Sequence, residues 1–155
     1  MKLKQWHKNI LSGLIIVAGG FVLFNLAFML AAVTMHACRL AVTVIGGNRV
    51  EDMGPMWWKY VYAGLILLIS FFIFRSKFIP LTKATYLTMP LMVVLVLIGI
   101  QFYQQPQWVP ILIGAVIISA MISCFYIIKL SWHYHFATLY TAALALFIIL
   151  SGIDI

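Results

Sequence analysis

Acidic residues are almost missing from this chain. It holds three, Glu51, Asp52 and Asp154, against ten Lys and Arg, and charged residues make up 8% of its 155 positions. A soluble domain carries roughly 25% charged residues, so this chain cannot cover a surface in water. None of the acids falls in a long apolar run. Ion-coupled transporters and proton pumps usually set a carboxylate within the membrane. Carboxylate acid–base catalysis needs one in the site, and magnesium-dependent phosphoryl chemistry needs oxygen ligands. Only the adjacent Glu51 and Asp52 could serve, and a solvated loop with balancing charge is their simpler reading. Cysteine is scarce too: Cys38 and Cys124 form no CxxC pair and are too few for a disulfide framework. GxSxG, HExxH, Walker and dinucleotide motifs are absent. Without a basic run carrying interleaved aromatics, the net charge of +7 points to topology and anionic headgroups rather than nucleic acid.

What is present is apolar: 65% of the residues are hydrophobic. The pattern predicts an all-α integral membrane protein, a single transmembrane domain over 1–155 with a bundle of five transmembrane helices. The first run, about 10–35, follows a basic start. It continues past the length of a signal-peptide core and reads as a retained signal anchor. Residues 36–47 either extend that helix or lie in the interface. The polar stretch 46–56 is rich in turn formers, and Trp57, Trp58, Tyr60 and Tyr62 then open a second span over about 57–74. A basic connection, 75–83, leads to a third span at about 84–102, with Pro90 expected near its first turns. A fourth span, about 109–128, carries Pro110 near its start. Residues 108–153 are apolar almost throughout, and as one helix these roughly 46 residues would measure about 69 Å, twice a bilayer. The chain must therefore turn at 129–131, with Ser131 as N-cap and a fifth span at about 132–152.

Charge bias sets the expected orientation. With the N-terminus cytoplasmic, Lys2, Lys4, Lys8, Arg75, Lys77, Lys83 and Lys129 lie inside without an acid. Arg39, Arg49 and Lys59 lie outside with Glu51 and Asp52. That is a positive-inside pattern, with the C-terminus outside. The expected location is a bacterial plasma membrane. Arg39, Arg75, Lys77, Lys83 and Lys129 are candidate headgroup contacts, with anionic lipids of the inner leaflet as partners. Cys38 and Cys124 fall at opposite faces, so no disulfide between them is expected.

His133 and His135 are the closest pair of candidate ligands. Helical residues two apart point about 200° apart around the axis, whereas chelating pairs sit at i, i+3 or i, i+4. His36 falls at the other membrane face and His7 on a basic tail, so neither a metal nor a cofactor is expected. His133 follows Lys129 by four residues and joins the headgroup side if helical geometry persists. His135 shares a stripe with Thr138, Ala142 and Ala145 that suits helix packing. Ala115, Ser119 and Ser123 form a second small stripe, expected to pack against the fifth helix, and Gly19 and Gly20 would allow a close helix approach. Asn25 is the only amide deep in a span. Asn25, Ser119, Ser123, His135, Thr138 and Thr141 are therefore the candidate polar positions, for packing or for a solute path.

Three readings of function remain. The first is a small non-catalytic subunit or accessory factor of a transport or envelope complex, with a membrane-protein partner or a second copy of itself. The second is an oligomeric transporter or channel for a neutral, lipid-like or anionic solute. The third is a histidine-based membrane enzyme or haem protein.

Overall fold

In a membrane-spanning chain, apolar side chains alone do not order the helices, because lipid is as apolar as leucine. Close backbone approach and hydrogen bonds between helices have to do it. The computed structural model describes residues 2–46, 57–102 and 104–150, and these form five α-helices without a strand. They are α1 (Lys2–Gly46), α2 (Trp57–Arg75), α3 (Pro80–Gln101), α4 (Trp108–Ile127) and α5 (Trp132–Leu150). Each is long and apolar enough to cross a membrane. The stretch 47–56, with Arg49, Glu51 and Asp52, lies outside the described residues, as do Tyr103 and the C-terminal 151–155 with Asp154.

The helices run up and down in turn, with α3 at the centre touching the other four. Nine residues of α3 are buried, from Ala84 to Leu95, and they point to nearly every side of the helix. The outer helices each bury one stripe. On α1 it is Ile16, Gly20, Ala27 and Thr34, and on α2 it is Tyr62, Ile66 and Ser70. On α5 it is Tyr134, Thr138, Thr141 and Ala145. These four- and three-residue steps keep one face of a helix inward.

Gly19 and Gly20 lie where α1 crosses α3 and α5. A Cβ on Gly19 would come 2.7 Å from the γ-methyl of Thr85, and one on Gly20 would come 2.9 Å from the Tyr140 ring and 3.1 Å from Thr88 Oγ1. The expected close approach is thus made within the chain. A tyrosine secures it, Tyr140 donating its hydroxyl to the carbonyl of Val17 at 3.1 Å, and further along α1 Tyr62 of α2 donates to the carbonyl of Ala27 at 2.9 Å.

One alternative left open by the sequence is decided, and one boundary differs from expectation. The first helix is continuous over 45 residues, roughly 68 Å long, so 36–46 is a helical extension. Its last buried residue among those described is Thr34, so the packed stretch corresponds to the span expected at 10–35. No proline interrupts 36–46, and nothing else there breaks a helix. The third helix begins at Pro80 rather than near 84, because a ring that fixes φ and lacks an N–H suits a first turn. Pro90 is consequently in mid-helix, where it removes the N–H that would bond the Tyr86 carbonyl. The early start also carries Lys83 into the first turn of α3. Its ammonium donates to the carbonyl of Phe74 at 2.8 Å, closing an unpaired carbonyl at the end of α2.

The α4–α5 turn falls at the expected place. Lys129 has φ 55°, the left-handed position of a Schellman ending. Leu130 N–H bonds the Phe125 carbonyl at 3.0 Å and Lys129 N–H bonds that of Tyr126 at 3.2 Å. Helical geometry therefore breaks at Lys129, and His133 does not continue its face. Ser131 precedes the first residue of α5 as expected, and its hydroxyl lies 3.3 Å from His133 Nδ1.

Two outcomes follow. Gly19→Ala should destabilise the fold by about 1–3 kcal/mol, the usual range for overpacking. Adding Thr85→Ser, which removes the opposing methyl, should recover most of that loss; a double-mutant cycle of unfolding in mixed micelles reads the coupling. Lys129→Gly should stabilise by about 1 kcal/mol, because a left-handed conformation costs an L-residue roughly 1–2 kcal/mol. Lys129→Val should destabilise in the same assay, since a β-branched residue fits that region worst.

Candidate functional site

Polar side chains in a lipid-immersed helix have two outlets, their own backbone or a neighbour. Inside this bundle most take the first. Thr138 and Thr141 are fully buried and donate to the carbonyls of Tyr134 and Ala137, four residues back, at 2.9 and 2.8 Å. Thr34 and Ser70 do the same toward Leu30 and Ile66, both at 2.7 Å. Ser70 Oγ also lies 3.4 Å from the Tyr86 hydroxyl. Such back-bonding satisfies a hydroxyl donor without a partner helix. Among the described residues, no buried side-chain nitrogen or oxygen lacks a hydrogen bond.

The other candidate polar positions face outward. Asn25 is exposed and donates to the Phe21 carbonyl of its own helix at 2.8 Å. One N–H and the amide oxygen have no further partner within the described chain. Ala115, Ser119 and Ser123 are exposed as well, so the packing expected between this stripe and the fifth helix is not formed. The inward residues of α4 are instead Gly114, Ile118, Met121 and Phe125. Gly114 admits Leu95 closely, with a Cβ there meeting its Cδ2 at 3.3 Å, and the larger apolar neighbours fill the seam below. The structure therefore joins Thr138 and Thr141 in the core but brings neither together with Asn25, Ser119 or Ser123.

The histidines are kept apart. His133 stacks on Trp132, with ring centroids 4.4 Å apart and planes at 28°. His135 is half-buried, and its ring meets Phe125 edge-on at 6.1 Å. His36 is exposed on the extension of α1, about 20 residues and roughly 30 Å beyond Ile16, which packs near Tyr134. No group of three His, Cys, Asp or Glu that could hold a metal occurs among the described residues. Cys38 and Cys124 are free thiols, one on the α1 extension and one near the opposite end of the bundle.

The cations divide by end. Arg75, Lys77, Lys83 and Lys129 lie where α1 begins, at the end of α2, the start of α3 and the end of α4. Arg75 also sits 5.8 Å over the Phe71 ring. Arg39 and Lys59 lie toward the other end, both at least partly exposed.

That second end holds a feature the sequence reading missed. Between α1, α2 and α3 is an apolar cleft of about 290 Å³, open to the outside of the bundle. Its α1 wall includes Ala27 and Ala31, whose small side chains leave the space. Trp58, Lys59 and Tyr62 form its α2 wall, and α3 contributes residues from Met92 to Ile100. Lys59 is the single charged lining residue. The signal was present as an alanine pair one turn apart, facing a helix that begins with tryptophans. It could not be used, because the sequence does not say which helices face each other.

A search for relatives adds no external guide: no family model, no characterised protein and no solved structure matches this chain.

Proposed function

We propose that this is an integral protein of a bacterial plasma membrane that acts without catalysis, as a subunit or accessory factor of a transport or envelope complex. The observation that carries this reading is the direction of its polar groups. A solute path would need polar side chains facing an interior space, but the buried threonine and serine hydroxyls are bonded to their own helices and the buried Tyr62 hydroxyl is taken up by the Ala27 carbonyl of α1. Asn25 faces outward instead, near the middle of the packed stretch of α1, with one N–H and its amide oxygen free. In hydrocarbon an amide of this kind is satisfied by a polar group on another helix. The exposed Ala115, Ser119 and Ser123 offer a second face of the kind that allows backbones to approach closely.

The same reading sets the N-terminus in the cytoplasm and the C-terminus outside, with Arg75, Lys77, Lys83 and Lys129 against anionic headgroups of the inner leaflet. It takes a membrane protein or a second copy of the chain as partner, and no cofactor.

Gentle extraction of the tagged full chain should yield a stoichiometric membrane partner or a defined homo-oligomer. Asn25→Leu and Ser119→Leu should each lower that association, with Asn25→Leu costing about 1–2 kcal/mol, as for interhelical polar contacts in model peptides. Helix content should not change. Rapid solute flux through liposomes containing the chain alone would overturn the accessory reading in favour of a transporter. Thiol labelling tests the orientation: Cys38 should react from outside and Cys124 from the cytoplasm, and reaction of both from one side would overturn it.

A further inference from the structure

We propose that the cleft between α1, α2 and α3 is a binding site for an anionic phospholipid, one acyl chain lying in the cleft and the headgroup phosphate meeting Lys59. The inference is independent of the accessory reading, since it rests on a different surface.

The cleft has the dimensions of a chain segment. Its α3 wall runs from Met92 to Ile100, eight helical rises, or about 12 Å along a helix. Its volume of about 290 Å³ is many times the roughly 10–15 Å³ that admits a single water, so a run of methylenes can enter. A folded headgroup or a polar solute finds little there to bind. Tyr62, the one deep polar group, already donates its hydroxyl to the Ala27 carbonyl, and the other deep lining residues, Ala27, Phe24 and Met92 among them, are apolar.

The two ends of the cleft differ in character. Phe24 and Met92 mark the deep end. Trp58 and Lys59 mark the other, in the first turn of α2, where an aromatic residue and a cation suit headgroup depth. The first N–H groups of α2 add positive partial charge at that level. Charge and shape therefore select the same occupant: an apolar chain below and an anion above. A zwitterionic lipid fits the chain portion equally well but carries no net charge for Lys59.

The test is native mass spectrometry of the full chain released from bilayers of equal phosphatidylglycerol and phosphatidylcholine. One retained phosphatidylglycerol is expected, preferred by roughly fivefold, the equivalent of about 1 kcal/mol for a Lys at an anionic surface. Lys59→Ala should bring the preference close to one, whereas Lys8→Ala, at an exposed cation in the first turns of α1 near the other end of the bundle, should leave it intact. Ala31→Phe, which fills the cleft, should abolish retention of either lipid. Should that variant fail to fold, competition on the unaltered chain replaces it. Inorganic phosphate should not displace the retained lipid, while added long-chain phosphatidylglycerol should. Equal retention of the two lipids would overturn the proposal. So would a Lys8→Ala loss equal to that of Lys59→Ala, or displacement by inorganic phosphate as effective as by the lipid.

Discussion

The arrangement of this bundle depends on one close crossing, where Gly19 and Gly20 of α1 meet Thr85 and Thr88 of α3 and Tyr140 of α5. Between helices in hydrocarbon, association comes from van der Waals contact and hydrogen bonds rather than from expulsion of water. Both require short distances. The glycines provide them, and the backbone they expose becomes usable: the Val17 carbonyl lies within reach of Tyr140. Ten residues along, or roughly 15 Å, Tyr62 takes the Ala27 carbonyl from α2. Helix α1 is thus held from α5 at one level and from α2 at another, with α3 between them.

This constraint explains the composition of the core. α3 is covered on nearly all sides, and the helices around it each contribute a narrow stripe. Threonine is favoured in such stripes because it is small and turns its hydroxyl onto its own helix. Thr34, Thr138 and Thr141 all do this. These buried threonine hydroxyls are therefore self-contained. They fix packing distance and are not left waiting for a ligand.

Much of the fold was legible in the sequence, for identifiable reasons. Boundaries marked by tryptophan, charge or a forced reversal fall close to expectation, as at Trp57, Trp108 and Trp132. Boundaries that depend on local continuity do not. Residues 36–46 contain nothing that ends a helix, so α1 runs on, and Pro80 opens α3 although it stands in a stretch that reads as a loop. Side-chain direction was the least legible property. Periodicity correctly groups Ala115, Ser119 and Ser123 on one face, but it cannot say whether that face meets α5 or the outside. The answer lies in Gly114 and Met121 one step around the helix, where a close contact and a larger apolar surface compete for the same seam. The cleft was hidden for the same reason, since its walls come from three helices whose pairing exists only in three dimensions.

The polar groups therefore fall into two kinds, and the division bears on function more than their number does. Inside, a hydroxyl bonded to its own helix makes no demand on its surroundings. Outside, Asn25 can satisfy only part of an amide through Phe21, and nothing in a lipid tail can complete the rest. An isolated bundle would do better with leucine at that position, because leucine leaves no polar group unsolvated. The amide is useful only if something polar reaches it at that depth, and a neighbouring helix is the simplest object that does. Lys59 poses the same question in the first turn of α2, and the proposed answer there is an anionic lipid. The two proposed contacts, a protein neighbour at Asn25 and a lipid at Lys59, therefore use separate surfaces, and each can be removed by substitution without touching the Gly19–Gly20 crossing that holds the bundle together.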